Sequence, residues 1–145
     1  MVIALIADDK KKELMTQFCI AYCGILSKHT LCATGITGKY ISEATGLKIE
    51  KLLSGTSGGA EQITSRIAYN EIDMVLFFRD ASGEMLDTEV ENNLLRMCDV
   101  SNVPLATNIA TAEVLVMALE SGGLDWRNIV NPTSEYNQHK AKKSV

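Results

Sequence analysis

Apolar residues along this chain fall into two alternating patterns. Val2-Ile3-Ala4-Leu5-Ile6-Ala7 is an unbroken apolar run closed by Asp8-Asp9. Runs of this kind suit strands buried on both faces of a parallel sheet. From Lys11 to Ser27 the apolar residues are instead spaced, at Leu14, Phe18, Ala21, Tyr22, Ile25 and Leu26, which predicts a helix with one buried face, weakened near its end by Gly24. The alternation then repeats. Thr30-Leu31-Cys32 predicts a second strand, and Lys39–Thr45 a helix stopped by Gly46. Lys48–Leu53 predicts a third strand, followed by a helical stripe at Ala60, Ile63 and Ile67 that reaches about Tyr69. Met74-Val75-Leu76-Phe77-Phe78 is the clearest buried strand, and Val90, Leu94, Met97 and Cys98 mark a helix from near Thr88. Val103–Thr107 predicts a fifth strand. Ala112, Leu115, Val116 and Leu119 mark a last clear helix, ended by Ser121-Gly122-Gly123. Trp126 and Ile129 are expected to dock a final turn onto the body. From Asn131 onward the chain is polar and lysine-bearing, and is expected to be loose or to lie on a neighbour.

Strand and helix thus alternate five times, with no repeat, low-complexity segment or linker. The pattern predicts an α/β three-layer fold: a five-stranded, mostly parallel sheet with helices on both faces. One domain is expected over residues 1–132, with a polar tail over 133–145. In such folds ligands bind beyond the carboxyl ends of the strands. Those ends carry Asp8-Asp9, Thr34-Gly35-Ile36-Thr37, Ser54-Gly55, Arg79-Asp80 and Thr107-Asn108.

Composition narrows the function classes. The chain has 145 residues, 46% hydrophobic and 22% charged, as an ordinary globular domain does. A net charge of −4 offers no basic footprint for nucleic acid, and argues weakly against an anionic membrane surface. No apolar run approaches the ~20 residues of a spanning helix. The first apolar run lacks a charged leader and ends in two aspartates, so it is expected to be a strand and not a signal peptide, and the protein to be cytoplasmic. Cys19, Cys23, Cys32 and Cys98 form no CxxC. Small buried hydrophobes are the expected role for them, ahead of a zinc site or a disulfide framework.

Ala33-Thr34-Gly35-Ile36-Thr37-Gly38 is the stretch with the most chemistry. Its glycines allow a tight turn and close approach to a ligand. Its hydroxyls and N–H groups would meet an anion at a helix start. A plain strand-to-helix turn capped by Thr37 is the competing reading. Lys12, one turn past Asp9, either reaches a phosphate across the strand ends or sits on a solvated helix start beside Lys10 and Lys11. Asp8, Asp9, Asp80 and Asp87 are carboxylates at strand ends or in the adjoining loop. Singly they suit caps and turns; Asp9 and Asp80 flanking a phosphate cradle suggest acid–base work. His29 and His139 lie away from these ends. Neither GxGxxG nor GxxxxGK[ST] is present.

Together, Ile3-Ala4-Leu5-Ile6-Ala7-x-Asp9-x-x-Lys12, Ala33-Thr34-Gly35-x-Thr37-Gly38, Leu53-Ser54-Gly55-x-x-Gly58-Gly59-x-x-Gln62, Phe77-Phe78-x-Asp80 and Pro104-x-Ala106-Thr107-Asn108-x-Ala110-Thr111-Ala112 resemble methylglyoxal synthase, from about Ile3 to Pro132. Related domains of carbamoyl-phosphate synthetase and the purine-pathway cyclohydrolase share only parts of this set. The resemblance implies a homohexamer that converts dihydroxyacetone phosphate to methylglyoxal and inorganic phosphate, with no metal or organic cofactor. It also implies a phosphate cradle at Lys12, Thr34-Gly35-Ile36-Thr37 and Ser54-Gly55.

The chain departs from that pattern at the reacting groups. The family reads Gly-Gly-Asp-Gln-Gln with the Asp as base; this chain reads Gly58-Gly59-Ala60-Glu61-Gln62. Family histidines fall at Asp8 and at Asp87, a further Asp falls at Val90, and a usual Thr falls at Ile36. Two donors thereby become acceptor-only carboxylates when ionised. Two readings remain open. The chain is a divergent enzyme in which Glu61 or Asp80 serves as base, although adjacent helical positions point ~100° apart. Alternatively it is a catalytically silent phospho-ligand sensor or a subunit that co-assembles with an active paralogue. A pure protein-interaction domain, its pocket filled by side chains, is a third possibility.

Overall fold

A computed structural model describes residues 1–54, 58–82 and 88–130. The chain forms β1 (Val2–Ala7), α1 (Lys12–Ala21), α2 (Cys23–Leu26), β2 (Thr30–Thr34), α3 (Gly35–Thr45), β3 (Ile49–Leu52), α4 (Gly59–Ala68), β4 (Met74–Phe78), α5 (Thr88–Val100), β5 (Leu105–Ala106), α6 (Ile109–Glu120) and α7 (Arg127–Val130). Its five strands lie in the order β3-β2-β1-β4-β5, and every pairing is parallel. The expected sheet is therefore found, parallel throughout its described strands.

β1 is central, and its side chains alternate between the two faces of the sheet. Ile3, Leu5 and Ala7 pack with Met15 and Phe18 of α1, Ile41 of α3 and Val116 of α6. Val2, Ala4 and Ile6 pack with Ile63 and Ile67 of α4 and Leu94 and Cys98 of α5. This is why β1 shows no polar alternation: both faces are covered, giving three layers. The cysteines are packing residues. Cys19, Cys32 and Cys98 are buried and Cys23 is half-buried, all unpaired. Burial pushes the thiols of Cys19 and Cys98 up to about 12 and that of Cys32 up to about 11, so they stay protonated and inert.

Four local expectations need correction. The helix expected from Lys11 to Ser27 breaks at Tyr22, whose φ of −106° and ψ of 20° leave the helical region. The Tyr22 ring lies 4.8 Å from Phe18, which meets Phe78 at 5.5 Å. The sheet-facing stripe is Met15-Phe18-Cys19, and Ala21 faces solvent. Second, β2 runs on to Thr34 and α3 begins at Gly35, so no loop separates them. Third, β5 shrinks to Leu105–Ala106. Fourth, the last turn does not dock through Trp126 and Ile129: Ile129 is 81% exposed, and Leu124 and Arg127 are buried instead.

Arg127 is fully buried beside Asp73, at the end of the sheet where the strands begin. Its Nη1 donates to the Asn102 carbonyl, and the Trp126 ring covers its guanidinium at 5.9 Å. Nε lies 3.6 Å from Asp73 Oδ1, close enough for charge attraction but too long for a hydrogen bond. Asp73 also accepts the Val2 N–H at 2.8 Å, so the pair ties β1, β4 and α7 together. Removing one member of a buried pair strands the other charge and costs about 3–5 kcal/mol. Arg127→Met is expected to lower urea-unfolding stability by about that amount. Arg127→Met with Asp73→Asn, which keeps an acceptor for Val2, should recover most of the loss. Equal losses in the two variants would show that the ion pair is not what holds α7.

Candidate functional site

The site is built where two helices start against the end of one strand. α3 begins directly after β2, with Thr34 as its cap residue in extended geometry, and Thr34 makes no side-chain cap bond. Thr37 is thus three residues inside the helix and is not its cap. The Thr34 and Thr37 hydroxyls are both buried, 3.4 Å apart. The Gly35 N–H is taken by the Leu53 carbonyl at 3.2 Å. The Ile36 and Thr37 N–H groups remain at the open end of α3, with the partial positive charge of that terminus.

α4 starts equally close. Gly59 donates its N–H to the Ser54 carbonyl at 2.9 Å. A Cβ on Gly59 would lie 2.1 Å from the Leu53 carbonyl oxygen and 2.9 Å from Thr34 Cγ2; one on Gly35 would lie 2.9 Å from the Leu52 carbonyl oxygen. Only glycine fits at such separations, so Gly35 and Gly59 let both helix starts abut β3. Gln62 locks the join, its Oε1 accepting the Leu53 N–H at 2.8 Å.

The neighbouring strand ends supply the charges. Lys12 Nζ lies 3.4 Å from the Ala7 carbonyl and is ion-paired with Asp9. The Asp9 carboxylate is almost fully exposed, and the hydrogen bond and charge of Lys12 hold it below the usual carboxylate range. Asp8 is used differently. Its N–H donates to the Phe78 carbonyl at 3.0 Å, and its Oδ2 accepts the Asp80 N–H at 2.7 Å, pinning the turn after β4 to the end of β1. Asp80 Oδ1 in turn accepts from the Ser82 hydroxyl at 2.6 Å and the Ser82 N–H at 3.1 Å. Those bonds, the hydroxyl's first, keep its carboxyl below the ordinary value. Carboxylates held low are stable anions and weak bases.

Of the residues expected at the site, Lys12, Thr34, Gly35, Ile36, Thr37 and Ser54 lie at the ends of β1, β2 and β3, and Asp8, Asp9 and Asp80 at the ends of β1 and β4. Ala60 and Glu61 are in the first turn of α4. Ala60 presents a methyl group. Glu61 is exposed, with Oε2 3.9 Å from where a Gly58 Cβ would lie. Gly55 and Asp87 lie outside the described residues. His29 is at the opposite end of the sheet, 3.1 Å from the amino terminus. Gln62 and Arg79 position the site without having stood out as candidates. Arg79 donates its N–H to the Thr107 carbonyl at 3.2 Å and pairs with Glu91 of α5. A glutamine four residues after a Gly-Gly pair is a usable signal for the first; the Arg79–Glu91 pairing has no local signature.

Comparison with known proteins bears on the family and the fold. Residues 16–107 match the MGS-like domain family. The chain is 61% identical over 138 residues to the methylglyoxal synthase of Caldicellulosiruptor saccharolyticus, covering 95% of this chain and 98% of the relative. It is 53% identical over 130 residues to that of a Geobacillus species, covering 90% and 93%. The crystal structure of methylglyoxal synthase from Elizabethkingia anophelis superimposes with a TM-score of 0.71 at 37% identity, over 79% of this chain and 76% of that one.

The contact at Gly59 can be tested directly. Gly59→Ala is expected to cost about 1–3 kcal/mol in urea unfolding, because the new methyl must displace strand backbone. Gly24→Ala, with nothing within 4 Å of its new Cβ, should be neutral or slightly stabilising. Equal effects would remove the argument that the α4 start is held against β3.

Proposed function

The chain belongs to the methylglyoxal synthase family, and we propose that it binds a small phosphate ester, dihydroxyacetone phosphate being the reference ligand, but eliminates phosphate from it only slowly. The observation that carries this is the contrast within one site. Groups that the family's phosphate cradle uses are kept at Lys12 and at the paired Thr34 and Thr37 hydroxyls, with Ile36 for the usual Thr, and a helix start such as that of α3 suits a phosphate. In the first turn of α4, the position directly after Gly59 holds only the Ala60 methyl.

The family's reaction needs a base to take a proton from the carbon α to the ketone, donors to hold the enediolate oxygens, and release of phosphate as the C–O bond breaks. Ala60 cannot take the proton. Asp9 and Asp80 are anionic but held at low basicity by Lys12 and Ser82. An absent base costs about 10²–10⁴ in rate. A second reading is favoured by Glu61, whose carboxylate lies back over Gly58 at the mouth of the same turn. In that reading it serves as the base.

Assembly is part of the proposal. α6 exposes two large apolar side chains, Val114 at 67% and Met117 at 54%, beside the charged Glu113. Apolar surface left on a helix marks a contact site, which supports the homohexamer that the family implies. No described helix is long and apolar enough to cross a membrane.

Inorganic phosphate is expected to raise the melting temperature, as a ligand of the folded state does; no shift at tens of millimolar would count against the cradle. Methylglyoxal formation from dihydroxyacetone phosphate should be near background in the wild type and rise by about 10²–10⁴ in Ala60→Asp. If the wild type turns over and Glu61→Gln abolishes it, Glu61 is the base and the slow-elimination reading fails. Light scattering should report six times the 15.8 kDa of one chain. A monomer at working concentration would refute the assembly.

A further inference from the structure

α3 and α4 are both fastened to the end of β3, and to one residue of it. The Leu53 carbonyl accepts the Gly35 N–H, at the start of α3, at 3.2 Å. The Leu53 N–H is accepted by Gln62 Oε1, from α4, at 2.8 Å. A backbone N–H is a donor, so the Gln62 carboxamide turns its oxygen and not its NH2 toward the strand. The hydroxyls of Thr34 and Thr37 lie on the α3 side of this joint. Both candidate base positions, Ala60 and Glu61, lie on the α4 side, in its first turn. Leu53 is thus shared between the element that offers groups to phosphate and the element that would take the proton.

The body of α4 is anchored in the core through Ile63 and Ile67, but its first turn is held less firmly. Its cap position is Gly58, at a φ of 105°, and no side chain caps it. Gly59 follows, and successive glycines leave the backbone a wide choice of direction. Gln62, three residues after Gly59, reaches back to the strand end and removes that freedom. The bond is open to solvent, so water replaces it when it is lost and it contributes little to folding. Its effect on chemistry is larger. Proton transfer needs its partners at a defined separation, and a displacement of about 1 Å costs about 10²-fold in rate.

We infer that Gln62 is a positioning residue for the proton-transfer step: by bonding Leu53 it fixes the first turn of α4, where the base is carried, relative to the start of α3. The inference rests on the phosphate-ester reading above and goes beyond it in assigning the residue that sets the geometry between base and phosphate. It holds for either base assignment, since positions 60 and 61 share one turn. A second tether between α4 and β3 supplies a comparison. Arg66, in the last turn of α4, donates to Glu50 through two bonds of 2.8 and 2.6 Å.

Methylglyoxal formation from dihydroxyacetone phosphate by the full chain, at saturating substrate, tests it. The parent is the wild type if that turns over, and Ala60→Asp if it does not. In that parent Gln62→Leu is expected to lower kcat about 10- to 100-fold. Its affinity for inorganic phosphate, by calorimetry, should stay close to the parent's, because Lys12, Thr34 and Thr37 are untouched. Gln62→Glu keeps an oxygen for the Leu53 N–H and should recover most of the rate. Glu50→Gln weakens the Arg66 tether and should lower the melting temperature without lowering kcat. A melting curve for each variant checks that it is folded. An unchanged kcat in Gln62→Leu, no recovery in Gln62→Glu, or an equal fall in Glu50→Gln overturns this inference alone. Phosphate binding without turnover in either the wild type or Ala60→Asp overturns both base assignments, and this inference with them. Failure of inorganic phosphate to bind overturns the phosphate-ester reading itself.

Discussion

The close approach of two helix starts to one strand end is the constraint on which the rest of the site depends. Gly35 and Gly59 bring α3 and α4 against the backbone of residues 52–54, with Gly59 so near Leu53 that a single methyl group would not fit. That proximity sets the Thr34 methyl against the α4 start and lets the Ser54 and Leu53 carbonyls accept both incoming N–H groups. A parallel sheet makes this possible, because successive helices start at the same edge. Gln62 then holds the strand end from the α4 side. The polar groups here are backbone and hydroxyl groups fixed by packing, so their arrangement needs few charged side chains.

Charges at the two ends of the sheet are handled in opposite ways. At the end where strands begin, Arg127 and Asp73 are buried together; the Asn102 carbonyl, the Val2 N–H and the covering Trp126 ring offset part of the cost, while Arg127 Nε and Nη2 are left without a hydrogen-bond partner among the described residues. At the end where strands finish, burial is less complete. Lys12 meets an exposed Asp9, and Arg79 meets a largely covered Glu91 beside the turn that Asp8 pins. A pair with one exposed partner contributes little to stability, about 0–1 kcal/mol, so Lys12 can leave Asp9 at small cost.

The carboxylates of this site are better suited to holding structure than to moving protons. Asp8 spends an oxygen on the Asp80 N–H, and Asp80 an oxygen on Ser82. Asp80 is thereby stabilised as the anion, and its affinity for a proton falls accordingly. Ala60 offers only a methyl group, and the polar groups of Asp8 and Asp80 fasten the turn after β4.

Much of this was legible in the chain. Unbroken apolar runs such as Val2–Ala7 and Met74–Phe78 specify doubly covered strands, and their alternation with spaced apolar residues implies the parallel sheet and the edge at which a ligand binds. The motif around Thr34 to Gly38 and the substitution at Ala60 were likewise open to reading, because each is a local pattern. Periodicity reports only the average sidedness of a segment, however. It could not show that the first helix breaks where Tyr22 stacks on Phe18, or that the sheet meets Met15 and Cys19 where Leu14 and Ala21 were expected. Nor could it show that Arg127, a charged residue, docks the last turn while Ile129 stays exposed. Those outcomes depend on partners remote in sequence: Asp73 and Asn102 for Arg127, Phe78 for the aromatic cluster, Leu53 for Gly59. A groove of about 790 Å³ that Lys12, Ile36 and Tyr40 help to line belongs to the same class, because only the packing of α1 beside α3 brings its residues together.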